Sequence, residues 1–97
     1  MSGNRPRLVA PPGACDTHMH FYDTAVPSAP GGPPLPGHYS VPMYRELQQR
    51  LGLSRVIIVQ PNAYQADNRA TLEALTQFGD SARAVVVVDE QVSDAEL

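Results

Sequence analysis

Two short runs of β-branched residues decide the fold class. Arg55-Val-Ile-Ile-Val-Gln60 and Ala84-Val-Val-Val-Val88 are apolar at both parities, the mark of strands covered on both faces. Between them, Asp67 or Asn68 can cap a helix that presents Leu72, Leu75 and Phe78 before Gly79 stops it. Strand, helix and strand at this spacing predict a parallel pair joined by a right-handed crossover. A further strand reads from Ala14 to Phe21, and a short amphipathic helix from Met43 to Leu51. That helix carries Met43, Tyr44, Leu47 and Leu51 on one face and Arg45, Glu46, Gln48, Gln49 and Arg50 on the other, with Gly52 placed for a left-handed cap. Ser93 and Glu96 have the spacing of a capping box that opens another helix.

The order is therefore β-α-β-α-β followed by the start of a helix. Strands this apolar need cover on both sides, and two and a half helices do not supply it for three strands. The expected class is α/β, with parallel strands forming the first three βα units of a (β/α)8 TIM barrel, a fold of about 250 residues. Residues 1–97 then read as the N-terminal part of a single barrel domain, with a tail over 1–11 and a Pro/Gly-rich loop over 24–42. The alternative is a complete small protein that must associate to fold.

The loop is conspicuous because eight of the ten prolines lie between Pro11 and Pro42. Pro27-Ser-Ala-Pro-Gly-Gly-Pro-Pro-Leu-Pro-Gly37 has no charge and no helical period, which excludes helix and central strand. Pro33 and Pro36 have PxxP spacing, so a polyproline ligand for a partner domain is one reading. A long connection beside a functional site is the other. The net charge of −3 and seven scattered arginines argue against nucleic acid as the main partner. A single cysteine, Cys15, gives no internal disulfide. No run reaches the roughly 20 apolar residues that cross a bilayer, and a soluble, cytoplasmic chain is expected.

Chemistry concentrates in Cys15-Asp16-Thr17-His18-Met19-His20-Phe21. Strict alternation sends Asp16, His18 and His20 to one face and Cys15, Thr17, Met19 and Phe21 to a helix-packing face. Two imidazoles at the C-terminal end of a parallel strand stand where such folds bind ligands, although a hydrogen-bonded structural pair is the plainer alternative. On the next strand Val56, Ile58, Gln60 and Asn62 share a parity. If it points inward, Gln60 and Asn62 join the same rim, Asn62 being equally readable as a turn residue after Pro61. Asp89 and Glu90 read best as a polar exit from the third strand. Cys15, on the helix side, reads as an inert buried thiol. His38 and Tyr39 follow the loop and either reach back over the rim or face water. There is no phosphate loop and no CxxC.

Pro12-Gly-Ala-Cys-Asp-Thr-His-Met-His20 resembles the opening strand of the amidohydrolase superfamily, whose signature is HxH at the end of barrel strand 1. Val56-Ile-Ile-Val-Gln-Pro-Asn62, with Asp67-Asn68 and Leu72, is similar to the amidohydrolase-related branch of pyrone-dicarboxylate lactonases, sugar-acid lactonases and galactarolactone isomerases. The likeness runs from about Pro12 to Leu97 and would cover about the first third of a family member. It implies a barrel enzyme that hydrolyses or isomerises a lactone, with His18 and His20 beside the reacting carbonyl or a substrate carboxylate. Asn62 and Tyr39 match substrate-contacting positions, and Gln60 is the further rim candidate. The catalytic aspartate and substrate-binding arginines of the family lie further along, so this stretch alone would lack the base. Most members of the superfamily bind zinc or another divalent ion through HxH, which here would fall to His18 and His20. The lactonase branch works without one, and no metal or other cofactor is the favoured expectation. A metal-dependent amidohydrolase or decarboxylase, and a non-catalytic module that binds a partner through its proline-rich loop, are the competing readings.

Overall fold

A computed structural model describes residues 7–97; of the expected N-terminal tail, residues 1–6 lie outside the described part. Three parallel strands form one sheet in the order β1-β2-β3: β1 Cys15–Met19, β2 Arg55–Val59 and β3 Ala82–Val85. Helix α1, Val41–Leu51, joins β1 to β2, and α2, Arg69–Phe78, joins β2 to β3. Both pack on the same side of the sheet. Val56 and Ile58 of β2 and Ala82 of β3 are buried there with Phe21, Val41, Tyr44, Ala74 and Phe78. Burying one such aliphatic side chain contributes roughly 1.5–3 kcal/mol. Phe21, Tyr44 and Phe78 close the cluster with ring centroids 5.7–6.3 Å apart. No described helix is long and apolar enough to cross a membrane.

Helix α1 starts two residues earlier than the pattern suggests, because Pro42 is tolerated in a first turn that has no N–H to lose. The earlier start adds Val41 to the buried stripe with Tyr44 and Gln48, and Leu47 packs against that core as expected. Gln48 is therefore buried, not solvated, and accepts a hydrogen bond from Arg45, while Met43 is left half-exposed. Gly52 closes the helix at φ 73°, and its N–H and that of Leu53 return to carbonyls of the last turn. In α2 the buried positions are Ala70, Thr71, Ala74 and Phe78. Ala74 packs into the helix–sheet core, and Leu72, two residues away, turns to the opposite side of the helix and is exposed, against expectation.

The third strand is displaced from Ala84–Val88 to Ala82–Val85. Val86, Val87 and Val88 leave the ladder and are 38–46% exposed, so among the described residues this run is not covered on two faces. The chain there is held by Asn68, whose carboxamide donates to the Val87 carbonyl (2.9 Å) and accepts from its N–H (3.2 Å). Asn68 thus does not cap α2 with its side chain. Asp67 serves that turn, accepting from the Arg69 N–H at 3.3 Å. The Ser93/Glu96 pairing forms as a turn, with the Glu96 N–H donating to the Ser93 hydroxyl.

The proline-rich segment is docked. Tyr22 and Tyr39 exchange two backbone hydrogen bonds (3.1 and 2.9 Å) that pinch its base. Within it the Ala29 N–H bonds the Ala63 carbonyl (2.9 Å), and a Cβ on Gly32 would come within 2.3 Å of that same oxygen. Only glycine fits there.

Candidate functional site

β1 does not alternate strictly. Asp16 pairs with Val56 and Met19 with Ile58, so three steps of β1 pass two of β2. The irregularity separates Asp16 from the histidines. Asp16 faces the helices, where the Tyr44 hydroxyl donates to its Oδ2 at 2.7 Å, while Met19 and Phe21 also join the helix-side core. The expectation that Asp16 shares a face with His18 and His20 is thereby corrected. Alternation also places Cys15 opposite Asp16 instead of against the helices, and it is half-buried.

His18 and His20 stand together on the open face, at the C-terminal end of β1, with ring centroids 5.1 Å apart and planes at 88°. His20 is half-buried, and its Nδ1 lies 2.8 Å from the Val59 carbonyl of β2. A carbonyl only accepts, so Nδ1 carries the hydrogen and Nε2 is the free ring nitrogen. His20 is thus oriented by the strand next to it. His18 is exposed, and its backbone N–H donates to Asp16 Oδ1 at 3.2 Å.

The same edge continues into Tyr22, whose ring lies 6.3 Å from His20, 6.1 Å from Tyr39 and 6.1 Å from Tyr64. Tyr22 is the next member of the alternating series His18, His20, Tyr22, and that alternation is the signal in the sequence for its place on this edge. Tyr39 lies beside Tyr22 and is 48% exposed. Tyr64 is fully buried; its hydroxyl donates to the Asp23 carbonyl (2.8 Å) and accepts from the Asp23 N–H (3.0 Å). Burial pushes its ionisation above the ordinary tyrosine range.

Gln60 is on the helix side, so the inward parity expected for it does not hold. Its Oε1 accepts from the buried Thr71 hydroxyl at 2.6 Å, and its Nε2 donates to the Gln65 and Asp67 carbonyls at 3.0 and 2.7 Å. Both its donor hydrogens and its carbonyl oxygen are engaged in tying the end of β2 to the start of α2. Asn62 opens the turn Asn62–Tyr64 after β2; it is exposed and its Oδ1 accepts from Gln65 at 3.2 Å. His38 is exposed and turned into its own loop, its Nδ1 accepting from the Thr24 N–H at 3.2 Å. Asp89 accepts from the Gln91 N–H, within its own turn. An apolar hollow lined by Phe21, Tyr39, Met43, Tyr44 and Leu47 lies beside α1, away from the imidazoles.

As a donor set, the open face offers two imidazoles. A divalent ion would be held by His20 Nε2 and His18, and the Nδ1–H of His20 on a carbonyl is the second contact that metal-bound histidines need. A catalytic zinc site uses three protein ligands. Among the described residues no three His, Cys, Asp or Glu side chains converge on one point, and Asp16, the nearest carboxylate in sequence, is turned to α1.

This geometry has counterparts among known proteins. The amidohydrolase family model matches residues 15–97. D-galactarolactone isomerase of Agrobacterium fabrum is 44% identical over all of this chain and 34% of its own length. The 2-pyrone-4,6-dicarboxylate hydrolase of Comamonas testosteroni is 35% identical over 97% of this chain and 32% of its own length. A 4-sulfomuconolactone hydrolase of Rhizobium radiobacter is 42% identical over 67% of this chain. A crystal structure of an Agrobacterium tumefaciens protein superposes on 94% of this chain with TM-score 0.86 at 43% identity. A probable 2-pyrone-4,6-dicarboxylic acid hydrolase from Acinetobacter baumannii shares the fold, with TM-score 0.80 at 24% identity. The chain spans about a third of the length of the curated relatives it matches. Its three parallel strands, with the two helices that join them, correspond to the N-terminal third of amidohydrolase-type barrels. An HxH pair on the open edge of β1, the parallel sheet that holds it and the match across residues 15–97 lead to one conclusion: the chain belongs to the amidohydrolase family.

Proposed function

We propose that the protein of which these residues form part opens or rearranges a lactone, with a sugar-acid lactone preferred over an aromatic pyrone. The observation that carries the reading is the imidazole pair at the end of β1, with His20 pinned by Val59. The names of its relatives, a lactone isomerase and lactone hydrolases, supply the substrate class. Attack on a lactone carbonyl creates a tetrahedral oxyanion, and donors aimed at that oxygen lower the barrier. With Nδ1–H committed to Val59, His20 donates from Nε2 only as the imidazolium; as the neutral ring it accepts a proton there. His18, more exposed, contacts a substrate carboxylate or the same oxygen. Tyr39 and Asn62 contribute substrate contacts at the rim. Gln60, given its bonds to Thr71, Gln65 and Asp67, is left out of the site. Hydrolysis and isomerisation differ in whether water or a substrate hydroxyl attacks.

The reaction is inferred to proceed without a metal, with His18, and His20 when it is the imidazolium, as donors to the carbonyl oxygen. A bound divalent ion would instead polarise that oxygen. The small-molecule lactone is the partner; the scattered arginines argue against nucleic acid, and the lone cysteine suits a cytoplasmic setting.

The test is turnover of D-galactarolactone and of 2-pyrone-4,6-dicarboxylate by the full-length protein, with products identified by NMR. His18→Ala and His20→Ala should each cut kcat/KM by about 10²–10⁴. Near-normal rates in both variants would remove the assignment. Stoichiometric zinc with chelator-sensitive turnover would transfer the site to the metal-dependent reading.

A further inference from the structure

Strict alternation would place Asp16, His18 and His20 on one face, and Asp16 lies on the helix face, bonded to Tyr44. Met19 and Phe21, an odd number of steps away, lie on that face too. The alternation is therefore broken once, between Asp16 and Met19. A shift of one residue moves every following side chain to the opposite face. Without the break, His18 and His20 would be driven among Val56, Ile58 and Phe78, and Met19 and Phe21 would face the open side. The break makes the site.

A break in a ladder strands backbone groups that need partners. Here the His18 N–H, at the irregularity, finds Asp16 Oδ1 (3.2 Å), while Oδ2 of the same carboxylate takes the Tyr44 hydroxyl (2.7 Å). One side chain thus joins the irregularity to α1. Burial first, and then the neighbouring carboxylate, push the Tyr44 hydroxyl above its ordinary range, so it stays a donor.

We propose that Asp16 is a positioning residue: its carboxylate, clamped by Tyr44, holds the break in β1 that turns His18 and His20 to the open face. The effect on catalysis rests on the functional reading above, but the direction of the rings does not, and it is read without substrate. Diethyl pyrocarbonate modifies accessible imidazoles, and mass spectrometry of the full-length protein gives His18 and His20 labelling relative to His38, which lies on the loop outside the break. Asp16→Ala should lower both ratios about tenfold, as buried groups are protected from solvent reagents. Asp16→Asn keeps an oxygen for the His18 N–H and should retain them. Deleting Thr17 removes the extra residue and restores plain alternation with the histidines outward, so in that background Asp16→Ala should cost nothing. Unchanged ratios in a folded Asp16→Ala protein would overturn the proposal. If that variant does not fold, the Thr17 deletion decides: equal loss on Asp16→Ala with and without Thr17 would overturn it, and rescue would sustain it.

Discussion

Gln60→Leu separates the role the structure gives this residue from the one its position in the sequence suggests. Gln60 is 6% exposed and accepts from Thr71, which is fully buried. Losing that acceptor leaves a buried hydroxyl unpaired, at a cost of about 1–3 kcal/mol. The Gln65 and Asp67 carbonyls also lose their donor, but both residues are half-buried and water replaces part of it. The net destabilisation should be about 2 kcal/mol, read in urea as a lower midpoint with unchanged m. Gln60→Glu sharpens the test. Its carboxylate would set lone pairs against two carbonyls, so it should be less stable than Gln60→Leu at neutral pH and recover as acid protonates it. Lactone KM should hardly move in either folded variant. A Gln60→Leu protein within about 0.5 kcal/mol of wild type, with a raised KM, would refute the reasoning and return Gln60 to the rim.

Two further outcomes are expected. Gly32→Ala drives a Cβ into the Ala63 carbonyl, with the Ala29 oxygen 3.1 Å away, so the loop must lift and lose its Ala29–Ala63 bond; a loss of about 1–3 kcal/mol and faster proteolysis within 24–38 should follow, and unaltered cleavage kinetics would contradict it. Arg69 holds the Asp67 carboxyl below its ordinary value. A lowered folded value means that the pair stabilises above the unfolded carboxyl range and loses that contribution as pH falls through the folded value; because Arg69 is 68% exposed the effect should be small, erased by molar salt and by Arg69→Ala, which urea melts at pH 7 and pH 3 would reveal.

The βαβ order is legible in the sequence because Val56–Val59 is an unmistakable strand, the valine run marks the region of β3 although only Val85 of it joins the ladder, and Gly52 and Gly79 mark helix ends. Both histidines are legible too. Faces are legible only in part: Met19 and Phe21 pack on the helices as expected, and Tyr44 and Leu47 face the core, but Asp16 and Gln60 do not lie where parity sends them. Parity arithmetic from Asp16 assumed an unbroken β1, and nothing in Asp-Thr-His announces an inserted residue. The inward parity for β2 carried Gln60 into the site, when the alternation Val56, Ile58, Gln60 points to the helices. On α1 the apolar pattern finds Tyr44 and Leu47 but misses Val41 and Gln48, because Pro42 resembles a boundary and is part of the first turn. On α2 the large Leu72 stands out in a hydrophobic pattern, whereas the buried Ala70 and Ala74 are too small to do so.

The clasp between Tyr22 and Tyr39 uncouples what the intervening segment contains from where its ends stand. Two backbone bonds set the separation of the ends, and closure entropy grows only as the logarithm of loop length, about 0.6 kcal/mol per doubling. Residues 24–38 therefore behave as an exchangeable cassette. A lineage can lengthen, shorten or recompose it, or a protein engineer can graft another in its place, and the strand that carries the histidines keeps its geometry.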